Sequence, residues 1–90
     1  GGGVVENLPR ILPNGVGAAL ERGRWPEPPI FKVIQQQGRL SDAEMFRVFN
    51  MGLGMIIAIA AKDLERAQHL MLELRTIGRL VAGQKTVTIN

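Results

Sequence analysis

Ninety residues, 1–90, with 46% hydrophobic and 21% charged side chains have the make-up of one small folded domain or part of a larger one, and not of a disordered chain. The lack of cysteine removes disulfides and thiolate metal sites, and a single histidine, His69, removes a histidine metal cluster or a Ser/His/Asp triad built from these residues. The net charge of +3 comes from basic residues scattered among acids without a basic run, and aromatics are few, so it reads as a solvated surface and not as a nucleic-acid face.

The chain opens "GGGVVENLPRILP". After the glycines, Val4, Val5, Leu8, Ile11 and Leu12 recur at helical spacing, which predicts a short helix closed by Pro13 and the turn pair Asn14-Gly15. "VGAALE", 16–21, predicts a short strand. "RGRWPEPP", 22–29, is a loop in which Trp25 serves as an anchor, and Pro28-Pro29 preset φ for the next helix. That helix presents Ile30, Phe31, Val33 and Ile34 and is expected to stop at Gly38.

"SDAEMFRVFN", 41–50, carries an S-x-x-E capping box in Ser41 and Glu44. Met45, Phe46 and Phe49 supply its buried face, and Asn50 is expected at the exit in a left-handed conformation. "MGLGMIIAIAA", 51–61, is far shorter than the ~20 residues that span a bilayer. It suits a strand buried on both faces, with Gly52 and Gly54 allowing close backbone packing, although by pattern alone it could also run on into one long helix. The strand is preferred, followed by a turn at 61–63 and a helix over 63–74 whose inner stripe is Leu64, Ala67, Met71 and Leu74. His69 falls on the outer side of that helix. "TIGRLVAG" and "KTVTIN" end the chain as two strands around a Gly83 turn. This order predicts an α/β chain of the two-layer α+β kind, a mixed sheet with helices packed on one side.

Glycines ahead of a helix offer backbone N–H groups and the positive end of a helix dipole, a receptor for phosphate; a terminal linker explains the same triplet. The methionines read as core filler, since thioether ligands need partners that this chain lacks. Glu6 and Asn7, on a first helical turn, have a capping role open to them beside a binding one. No catalytic group and no metal site emerge from the residues themselves.

Four ordered blocks, "GGGVVENLPRILP", "WPEPPIFKVIQQQG", "AEMFRVFNMGLGM" and "IGRLVAG", resemble the C-terminal end of the phosphoribosylformylglycinamidine cyclo-ligase (aminoimidazole ribonucleotide synthetase) family. The resemblance covers nearly all of this chain and about the last quarter of a family member, so it implies a C-terminal portion of the family's C-terminal domain. It implies an ATP-dependent ligase of purine biosynthesis: ATP activates the formyl oxygen of formylglycinamidine ribonucleotide, and a nitrogen then displaces phosphate and closes the imidazole. It further implies ATP and Mg²⁺ held mainly by an N-terminal domain outside these residues, a homodimer, a cytoplasmic setting, and neither membrane nor nucleic acid as partner.

Carried onto this sequence, Gly1, Gly2 and Gly3 match the family's His-Ile-Thr-Gly-Gly-Gly motif without its first three residues. Glu6 and Asn7 match the Glu-Asn that follows, and Asn50, Gly52 and Gly54 match its Phe-Asn-x-Gly-x-Gly stretch. The resemblance therefore implies substrate contact at Gly1, Gly2, Gly3, Glu6, Asn7 and Asn50. One departure is the direct passage from helix to strand in "LELRTIGRL", where family members carry a short Gly-Glu-x-Ala-aromatic insert. By itself such a chain is expected not to turn over; the competing expectation is a non-catalytic binding or structural module of the same fold.

Overall fold

Ala18 and Leu20 stand two residues apart in an extended run, so the period of a strand turns both to one side. The computed structural model, which describes residues 2–90, buries both of them there. Their strand, β1 (Val16–Leu20), is the centre of a three-stranded mixed sheet. On one side it pairs antiparallel with β2 (Gly78–Ala82), in the register Val16 to Ala82 and Leu20 to Gly78. On the other it pairs parallel with β3 (Val87–Ile89), Ala18 facing Val87. The two last strands, read from the sequence around a Gly83 turn, therefore flank β1 and do not pair with each other.

Helices cover the Ala18/Leu20 face. The first, α1 (Val4–Asn7), passes directly into a 3₁₀ turn at Leu8–Ile11, with Pro9 tolerated because it sits in that turn's opening positions. The helix α3 (Asp42–Val48) packs against α1. Val4, Leu8 and Leu12 from the first segment and Met45 and Phe46 from α3 join Ala18, Leu20, Trp25 and Met51 in one buried cluster. Each fully buried side chain of this size contributes about 1.5–3 kcal/mol. The α+β two-layer arrangement with helices on one side of a mixed sheet is the one the sequence predicts.

Between β1 and α3 lies α2 (Pro29–Gly38), which leans on α3 and buries no residue completely. Phe31 and Phe49, expected in the core, are half-buried at its edge and stack obliquely, ring centres 5.9 Å apart. The helix ends at Gly38 as expected, but the left-handed cap is Arg39 (φ 54°), whose N–H donates to the last carbonyls. The Ser41 box forms by half. Ser41 Oγ accepts from the Glu44 N–H at 3.2 Å, but the Glu44 carboxylate turns to Arg47 at 2.7 Å instead of back to Ser41.

Two expectations fail in the second half. No strand forms over 51–61: among the described residues that stretch joins no ladder, and the central strand β1 is paired on both sides by β2 and β3. Met55, Ile57 and Ile59 are exposed as a result. The helix expected over 63–74 contracts to α4 (Leu64–Leu70), entered through a 3₁₀ turn at Ala61–Asp63. Leu64, Ala67 and Leu74 are half-buried while Met71 is exposed, so the inward stripe is realised only weakly. His69 is exposed, as its position on the outer side requires.

Candidate functional site

The glycine triplet answers to packing before it answers to any ligand. Gly1 lies outside the described residues. Gly2 donates its N–H to the carbonyl of Val48 at 2.9 Å, at the exit of α3, so this amide is already committed. Gly3 is buried where the α3 backbone crosses, and a Cβ there would run into the carbonyl oxygens of Phe46 and Arg47. Only a glycine fits that crossing. The backbone approach that the sequence leaves open between a phosphate and a linker is an approach to the end of α3.

α1 is a single turn of four residues, too short to offer the cumulative dipole that the expectation of an anion receptor assumed. Asn7 binds back along it. Its backbone N–H and its Nδ2 both donate to the Gly3 carbonyl, at 3.1 and 2.8 Å. Glu6 faces Arg47 across the α1–α3 seam at 3.6 Å. Arg47 holds the Glu44 carboxyl below its ordinary range through the closer hydrogen bond of that pair.

Asn50 sits at the mouth of a tight turn, Asn50-Met51-Gly52-Leu53, closed by the Leu53 N–H donating to the Asn50 carbonyl at 2.9 Å. Its two central residues have positive φ, 54° at Met51 and 99° at Gly52, the signature of a type I′ turn. The left-handed residue is thus Met51, not Asn50. Asn50 Oδ1 instead accepts the Gly52 N–H at 2.9 Å and closes an Asx turn over the loop. A methionine in this region costs about 1–2 kcal/mol. That cost is offset by complete burial of the Met51 side chain and by the Trp25 indole N–H, which donates to the Met51 carbonyl at 3.0 Å. Gly52 is confined as well: a Cβ would come within 2.7 Å of Pro28 Cδ and 2.8 Å of the Pro26 carbonyl. Gly54, by contrast, has open space around it, so the close strand packing expected there is absent.

Gly2, Asn7 and Asn50 meet in one cavity of about 260 Å³. Val4, Leu8 and Ile11 from the first segment and Leu53, Met55 and Ile56 from the second give it apolar walls. Gly3 and Glu6 do not line it. Its polar side chains are the carboxamides of Asn7 and Asn50; Asn50 commits its Oδ1 to Gly52, which leaves its Nδ2 donor to spare. Ile11, Met55 and Ile56 were not singled out from the sequence as site residues, and no chemical signal marks them: they are ordinary aliphatics that the fold places beside two asparagines. Among the described residues no group of three or more His, Cys, Asp or Glu is placed to hold a metal ion. No helix among them is long and apolar enough to cross a membrane.

The profile of the family described as AIR synthase related protein, C-terminal domain, matches residues 1–90, the whole of the chain. The chain belongs to that family. Among curated relatives, the phosphoribosylformylglycinamidine cyclo-ligase of Bacillus thuringiensis (strain Al Hakam) is 46% identical over 87 residues, covering 92% of this chain and 25% of the relative. The protein of the same name from Bacillus cereus (strain B4264) is 45% identical over the same extent. This AIR synthase C-terminal domain chain therefore spans about a quarter of the length of the curated relatives it matches.

Proposed function

We propose that this chain is the C-terminal part of an ATP-dependent cyclo-ligase and supplies one wall of its substrate site, the cavity between α1 and the Asn50 turn. A single observation carries the reading. Gly2, Asn7 and Asn50, selected by motif from stretches more than forty residues apart in sequence, border the same cavity. At about 260 Å³ the cavity is smaller than the ~300–1,000 Å³ of a complete small-molecule site, which fits a wall completed by other polypeptide.

On this reading the ligand is formylglycinamidine ribonucleotide. The Asn50 Nδ2 donates to an oxygen of the ribonucleotide, Asn7 borders it from α1, and the aliphatic wall keeps water from the reacting end. Positioning of this kind raises the effective concentration of the two ends that close the imidazole ring. ATP and Mg²⁺ are assigned to an N-terminal domain outside these ninety residues, as are the contacts of a homodimer, in a cytoplasmic enzyme of purine biosynthesis.

The test is calorimetric titration of the chain with formylglycinamidine ribonucleotide. Asn50→Asp keeps the acceptor for Gly52 but replaces the Nδ2 donor with a carboxylate oxygen. It should weaken binding at least about tenfold by setting like charge against an anionic ligand. Equal affinity of the variant and the parent would refute the assignment. Ring closure by the ninety residues given ATP and formylglycinamidine ribonucleotide would refute the placement of the nucleotide elsewhere.

A further inference from the structure

The turn that presents Asn50 is held from behind by the loop between β1 and α2. Trp25 is buried, and its indole ring meets Phe46 of α3 edge-on, ring centres 6.4 Å apart at 88°. The guanidinium of Arg22 lies 5.0 Å over the other ring of that pair, Phe46, and is itself tied to Glu27 at 2.8 Å and to Asp42 at 3.2 Å. The indole is thus fixed in place before it makes its one polar contact, the 3.0 Å hydrogen bond to the Met51 carbonyl. Met51 is one of two non-glycine residues with positive φ among those described, and it lies between Asn50 and Gly52. Pro26 and Pro28 close on Gly52 from the same loop.

We propose that Trp25 is a positioning residue for the Asn50 side of the cavity. Its indole N–H pins the Met51 carbonyl and keeps Met51 left-handed. The Asn50 carboxamide is thereby aimed at the cavity mouth and not folded away. The inference rests on the cavity being the ribonucleotide wall. The 22–29 loop, outside the cavity, acts through this hydrogen bond and through the contact of Pro26 and Pro28 with Gly52. A bare packing role for Trp25 would spread its effects over the whole cluster; a positioning role concentrates them on residues 50–53.

The experiment compares Trp25→Phe with the parent chain by amide hydrogen exchange and by titration with formylglycinamidine ribonucleotide. Phenylalanine keeps an aromatic ring against Phe46 and removes only the donor and the second ring. Loss of one buried hydrogen bond corresponds to about a tenfold change. The Gly52 and Leu53 amides should exchange about tenfold faster, with the Ala18 and Phe49 amides, bonded to Thr86 and Met45, unchanged; ribonucleotide affinity should fall by a similar factor. Gly52→Ala is the second variant, since it disturbs the same turn from the proline side and leaves Trp25 intact; it should give the same local signature. Uniform acceleration across the chain, or an unaltered turn, would overturn the proposal. If the ninety residues bind no ribonucleotide without the rest of the site, the exchange pattern alone decides what Trp25 does to the turn.

Discussion

Gly3→Ala tests the claim that the glycine triplet exists for packing. The added methyl would point into the Phe46 and Arg47 carbonyls, and both belong to the backbone of α3, so no side-chain rotation can make room. The chain must instead move α1 away from α3. Overpacking of that kind costs about 1–3 kcal/mol. The same movement breaks the Gly2 N–H to Val48 hydrogen bond, for about 1 kcal/mol more. The total, about 2–4 kcal/mol, is a large share of the ~5–13 kcal/mol expected of a chain this size. Urea unfolding followed by the fluorescence of Trp25, the chain's one tryptophan and a buried one, reads it directly. A fall in Tm of about 10–20 °C corresponds to it. Gly54→Ala, where nothing lies within reach of a Cβ, is the internal control and should stay within about 0.5 kcal/mol of the parent. Should Gly3→Ala be as harmless as the control, the crossing of α1 and α3 is not what the glycine serves.

Ser41→Ala removes the acceptor for the Glu44 N–H and should cost about 1 kcal/mol in chemical unfolding; no loss would mean that water replaces the cap fully. Acid should destabilise the fold through Asp42. Its carboxyl is held below the ordinary 3.8 chiefly by the Gln35 amide and then by Arg22, so its contribution is complete above pH 4 and is lost as the pH falls through the depressed folded value. Carboxyl NMR titration should find the Asp42 midpoint below 3.8, and Gln35→Ala should raise it; a parent midpoint at or above 3.8 contradicts the sign.

Local physics made much of this chain legible. Strand β1, the proline-led start of α2, the Ser41 cap and the apolar face of α3 each follow from residues within one or two turns of each other, so propensity and period suffice. The candidate site was legible only through motif. Asn7 and Asn50 carry no chemical oddity, and nothing in their neighbours announces that α1 and the 50–53 turn face one cavity. The prediction at 51–61 erred for a specific reason: an Ile-rich run states a preference for extended backbone but cannot supply the ladder partner that a strand requires.

The sequence by itself determined the lack of thiol chemistry in these residues, the helix starts and the hydrophobic faces that had to be buried. Only the tertiary structure decided what the glycines approach, which residue of the Asn50 turn bears the left-handed backbone, and on which side of β1 each late strand pairs. These depend on contacts between residues tens of positions apart, such as Gly3 with α3 and Trp25 with Met51, whose energies no local window contains.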